Sequence, residues 1–96
     1  MTPPLKISSA IVSAIIEAQA KIVGPLAWEQ ATLVYGIKLD PIKKYVAVVG
    51  DPKRVIKELV LHYEQLFGRG ALEVCREAVQ PFINDETKDI LPSILR

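Results

Sequence analysis

Residues 41 to 50 spell PIKKYVAVVG, and the fold of the chain turns on how this stretch is read. Two physical signals compete in it. Tyr45, Val46, Val48 and Val49 are aromatic or β-branched and favour a short strand over 44–49. Against that, Asp40-Pro41 supplies a helix start and Gly50 a helix stop. Ile42, Tyr45, Val46 and Val49 also fall on one face at helical spacing. A strand must pair to satisfy its backbone groups. Nothing else in the sequence reads as its partner, unless two copies of the chain pair their strands. The segment is therefore expected to be a short helix, with the strand over 44–49 as the other assignment.

Working outward, the helical period continues on both sides. Asp51-Pro52 repeats the start signal, and the spacing predicts a helix to Phe67 with Val55, Ile56, Leu59, Val60, Tyr63, Leu66 and Phe67 facing inward. Gly68 ends it, and a further helix is expected from about Arg69 or Gly70 to Val79, stopping before Pro81. Upstream, a helix is expected over Ile7–Val23, capped by Ser8 or Ser9. Its apolar positions are Ile7, Ile11, Val12, Ile15, Ile16, Ala18, Ile22 and Val23. Its polar stripe is only Ser9, Ser13, Glu17 and Lys21, with Glu17 and Lys21 in the favourable order for an i,i+4 pair. Ala10, Ala14 and Ala18 form a line of small residues where another helix can come close. Gly24 ends this helix and Pro25 opens a second one to about Val34. "YGIKLDP" then reads as a break. In the tail, Asp85 is a candidate cap and Pro92 opposes a long final helix, while Ile90, Leu91, Ile94 and Leu95 call for burial.

Two stretches match at a shift of 44 residues: KIVGPLAWEQA (Lys21–Ala31) and QLFGRGALEVC (Gln65–Cys75). Gly24 falls on Gly68, Ala27 on Ala71 and Glu29 on Glu73. The match extends to Ile11, Val12, Ile15 and Ile16 over Val55, Ile56, Leu59 and Val60. The fold expected from this is all-α: one domain over 1–96, made of two pseudo-repeated helical hairpins over about 7–37 and 51–81. A linker over 38–50 joins them, giving about five helices and a short C-terminal one. Two units are too few for a solenoid. Gly24 and Gly68 are the expected helix corners, because glycine adopts the left-handed conformation that ends a helix. Glu29 and Glu73 lie early in their helices, where the macrodipole favours an anion. As paired carboxylates they lack the histidine at helical spacing that bundle metal sites carry, so no metal is expected.

The stretch Lys21–Ala31 resembles the Gly-Pro-Ile-Ala helical segments that form small accessory modules in some archaeal and bacterial signalling proteins. Leu26 stands where those have isoleucine, and the second copy has Arg69-Gly70 in place of Pro-Ile. The resemblance implies a protein-interaction or regulatory module and carries over no catalytic residue.

The bulk properties point the same way. Half of the 96 residues are hydrophobic and the net charge is +1. A domain this small has too much surface to hide that much apolar side chain, so some is expected at a homodimer interface. Ile11, Ile15, Ile16, Ala18, Ile22, Trp28 and Tyr35 are the candidates for it. One cysteine, Cys75, permits no internal disulfide and suits a reducing cytoplasm. One histidine, His62, and one cysteine on different helices supply neither a catalytic constellation nor a zinc site. The chain is thus expected to be non-enzymatic and to need no cofactor. Met1–Pro4 lacks the basic start of a secretory leader, and the apolar run Ile7–Val23 is too short and too charged to span a membrane. "VVGDPKR" lacks the second glycine of a phosphate cradle. Two further readings compete with association. One is nucleic-acid binding through Lys43, Lys44, Lys53, Arg54 and Lys57, whose plain reading is a solvated face. The other is a small-molecule sensor, which requires a cavity between the hairpins.

Overall fold

A computed structural model describes residues 4–40 and 42–96, with side chains from Ile7 onward. Residues 1–3 and Pro41 lie outside it, and with them the reading of the extreme N-terminus and of Pro41 as a helix start. The competition over 41–50 ends in a β-hairpin. Strand β1 (Ile37–Asp40) pairs antiparallel with β2 (Tyr45–Val48), in the register Ile37 with Val48, Lys38 with Ala47, Leu39 with Val46, and Asp40 with Tyr45. The missing partner strand is in the same chain, inside the stretch read as a break. Alternation decides it. Val46 and Val48 are buried while Tyr45 and Val49 are exposed, a period of two that the helical reading of Ile42, Tyr45, Val46 and Val49 ignored. Asp40, taken for a helix start, caps the turn instead. Its Oδ1 accepts from the backbone N–H of Ile42 at 3.0 Å and of Lys43 at 3.2 Å. Its carbonyl accepts from Lys44 N–H at 2.7 Å. A short carboxylate serves a tight turn as well as a helix N-terminus.

Four helices surround the hairpin among the described residues: α1 (Pro4–Val23), α2 (Leu26–Ala31), α3 (Pro52–Phe67) and α4 (Arg69–Val79). Single 3-10 turns at Gln80–Phe82 and Ser93–Leu95 close the chain. The expected all-α fold of five helices in two repeated hairpins is therefore wrong. The second helix is six residues long, because the N–H groups of Thr32, Leu33 and Val34 turn to carbonyls three residues back and the chain tightens out of the α-helix. The packing is also unsymmetrical. α4 lies against both α1 and α3, α1 also carries α2 and β2, and α1 and α3 barely touch. What the 44-residue shift shares is a local joint. Gly24 (φ 73°) and Gly68 (φ 88°) both adopt positive φ. Their N–H groups donate to Ala20 and Glu64 four residues back, at 2.9 and 2.8 Å, and their carbonyls accept from Ala27 and Ala71, both at 3.1 Å. The same corner leads to a short helix and a hairpin in one case, and to a full helix in the other.

The core runs through every element. It takes Ile11, Val12, Ile15 and Ile16 from α1, Ala27, Trp28 and Ala31 from α2, and Ile37, Val46 and Val48 from the hairpin. From α3 come Val55, Ile56, Leu59, Val60 and Tyr63; from α4, Ala71, Cys75 and Val79; from the tail, Leu91 and Leu95. Leu66 was expected inside and is instead half-exposed. Ser8 is buried within α1, which starts earlier than expected, so it is not the cap. Asp51 does cap α3, accepting from Lys53 N–H at 3.1 Å with Pro52 in the first turn. In the tail Asn84, not Asp85, plays the capping role, accepting from Glu86 and Thr87 N–H at 2.8 and 3.1 Å. Among the described residues no helix is long and apolar enough to cross a membrane.

Candidate functional site

One surface feature is a groove between α1 and α4. The two helices run antiparallel: Gln19 contacts Cys75 and Ala71, Val23 and Gly70 line one end of the groove, and Ala18 and Ala78 line the other. Gln19 fixes the pair. Its side chain is buried, and its Nε2 donates to the Ala71 carbonyl at 2.8 Å and reaches Cys75 Sγ at 3.4 Å. A buried amide without such partners would cost on the order of 1–3 kcal/mol, so this contact resists sliding of α1 along α4.

Outside that pin the groove holds two depressions. One, of about 230 Å³, is lined by Gln19, Ile22, Val23, Phe67, Gly70, Ala71 and Val74. The other, of about 340 Å³, is lined by Ala18, Lys21, Ile22, Val74, Glu77 and Ala78. Ile22 and Val74 belong to both and form the ridge between them. Ile22 is 67% exposed. Lys21 stands on the α1 rim and Glu77 on the α4 rim, and among the described residues neither is in an ion pair.

The residues expected to form an interface divide sharply. Ile11, Ile15 and Ile16 are fully enclosed by their own chain and Trp28 is 4% exposed, so these four face the domain's own core. The reason is that α4 and the hairpin cover the sides of α1 that a partner was expected to cover. Ala18, Ile22 and Tyr35 remain at the surface, and Tyr35 lies apart from the groove, with the Arg54 guanidinium 5.4 Å above its ring. The α4 side of the groove, Val74, Glu77 and Ala78, was missed. Its signal was a small and apolar stripe at Ala71, Val74 and Ala78, with helical spacing.

A second cleft, of about 490 Å³, lies between the α1–α2 corner and the hairpin tip. Pro25, Trp28 and Ile42 form its apolar walls, and Glu29 and Lys44 its polar edge. Lys44 has φ 59°, uncommon for a residue with a side chain, and its ammonium sits 5.2 Å from the centre of the Trp28 ring.

The remaining candidates are held in structural roles. Arg54 pairs with Glu58 at 2.9 Å, and Lys44 is drawn toward Trp28, so the basic set does not form one free cluster; Lys43, Lys53 and Lys57 are exposed. Glu73 pairs with Arg76 at 3.0 Å while Glu29 edges the cleft. His62 Nε2 lies 2.9 Å from Gln30 Oε1. Cys75 is fully buried, and burial pushes its thiol up to about 11, with the Gln19 contact acting in the other direction. Burial, then the neighbouring Cys75, raises the Tyr63 hydroxyl above its ordinary 10.0. Neither group is poised as a nucleophile at neutral pH. Among the described residues no three His, Cys, Asp or Glu side chains come together as a metal site. In comparisons with known proteins, no family model, no curated protein and no solved structure matches this chain.

Proposed function

We propose that this chain is a non-enzymatic association module, of scaffold or regulatory type, that pairs with a second copy through the α1–α4 groove. The observation that carries this is Ile22: a large apolar side chain, two-thirds exposed, shared by two adjoining depressions. Covering such a side chain contributes about 1.5–3 kcal/mol, and the small rims at Ala18, Gly70, Ala71 and Ala78 let a partner helix approach closely. The likeness of Lys21–Ala31 to signalling accessory segments adds the regulatory setting. The lone buried thiol fits a reducing cytoplasm. The nucleic-acid reading draws less support, because Arg54 and Lys44 are engaged within the domain.

Sedimentation velocity over a micromolar concentration series tests the proposal. The wild-type chain should sediment as a dimer, and Ile22→Asp should shift it to monomer with unchanged helical content. A wild-type chain that stays monomeric throughout sinks the reading.

A further inference from the structure

The groove also specifies how two copies meet. This inference rests on the self-association reading above and adds the orientation of the pair and the residues that select it. We infer that the two-fold axis runs parallel to the groove, so that α1 of one protomer lies antiparallel on α4 of its partner, and Lys21 of each faces Glu77 of the other.

Lys21 and Glu77 line the same depression from opposite helices, one on each rim. A face-to-face pair of identical surfaces has two simple arrangements. An axis across the groove lays α1 on α1 and α4 on α4, setting the lysine rim on a lysine rim and the glutamate rim on a glutamate rim. An axis along the groove exchanges the rims and brings Lys21 to Glu77 twice. Like charges facing each other oppose an interface, while complementary ones fix its register. Both side chains are exposed and lack an ion-pair partner among the described residues, so no internal pair has to break first. In the same arrangement Ile22 of each protomer crosses to the partner's α4 side and lands against Val74. Ala18 then faces Ala78, a small residue on a small residue, which allows the close backbone approach that the ridge side chains need.

The test is a charge exchange in the full chain, read by sedimentation velocity and native mass spectrometry. Lys21→Glu alone and Glu77→Lys alone should each weaken the dimer about tenfold, since each turns two attractive contacts into two repulsive ones. The double variant Lys21→Glu/Glu77→Lys should recover most of the wild-type affinity. An equimolar mixture of the two single variants should form the mixed dimer in preference to either homodimer, because only there does every glutamate at one rim meet a lysine at the other. High salt should shrink these differences. If the double variant is as weak as the worse single variant, or the mixture shows no preference, the orientation is wrong. Loss of the wild-type dimer by Ile22→Asp in that same series would leave the association itself standing. A wild-type monomer would overturn both.

Discussion

The hydroxyl of Tyr63 donates to the carbonyl oxygen of Ala27 at 2.6 Å, tying the buried face of α3 to the first turn of α2. Both residues are fully buried, and α2 is too short to stand without such an anchor. Tyr63→Phe keeps the ring and removes the bond. It should lower stability by about 1–2 kcal/mol, read as a lower urea midpoint at unchanged slope. A shift within error would mean that the bond adds nothing to the fold.

Stability should also fall in alkali. Burial raises the Cys75 thiol from its ordinary 9.0 to about 11 and raises Tyr63 above 10.0. The folded state thus keeps protons that the unfolded chain releases. The contribution is complete below about pH 9 and is lost as pH climbs toward the folded values. Urea midpoints should decline from about pH 9 upward, and Cys75→Ala should decline less steeply than wild type. A flat wild-type profile across that window would contradict the burial of both groups.

Two glycines with positive φ should respond very differently to alanine. At Gly36 (φ 97°) a Cβ would lie 2.7 Å from Val55 Cγ2 and 2.8 Å from the Val49 carbonyl oxygen, where the hairpin base seats on α3. At Gly24 (φ 73°) it would meet nothing within 4 Å. Gly24→Ala should cost about 1–2 kcal/mol of backbone strain. Gly36→Ala adds an overpacking cost, about 1–3 kcal/mol more, because a backbone oxygen cannot turn aside. Equal losses in thermal or urea unfolding would show that the hairpin does not seat this closely.

Lys44 sets strain against attraction at the hairpin tip. Lys44→Ala keeps the left-handed backbone and loses the contact with Trp28, and should destabilise by about 0.5–1 kcal/mol. Lys44→Gly loses the same contact but removes a strain of about 1–2 kcal/mol, so it should match or exceed the alanine variant. A glycine variant less stable than the alanine one would show that the turn does not hold Lys44 left-handed.

Much of this fold is written locally. α1, α3 and α4 follow from apolar residues at helical spacing. Asp51-Pro52 starts α3, Gly24 and Gly68 mark corners, and the core faces of α1 and α3 are those that the period picks out, apart from Ile22 and Leu66 near their C-terminal ends. The signals involved act within four residues, which is the reach of a helical hydrogen bond. On the candidate site, the apolar character of Ala18 and Ile22 was open to the same reading.

What tertiary structure alone decided is non-local. β1 is four residues in a stretch rich in turn formers, and it becomes a strand only because β2 lies across a tight turn capped by Asp40. A ladder bond joins residues that no local pattern links, so neither strand declares itself without the other. The same holds for the groove. α1 is apolar on most of its circumference, and the sequence by itself determined only that it must be covered on several sides. Where α4 and the hairpin settled decided that Ile11, Ile15 and Ile16 face their own core, leaving Ile22 beside Val74 at the surface, since a side already covered by its own chain has no apolar area left for a partner.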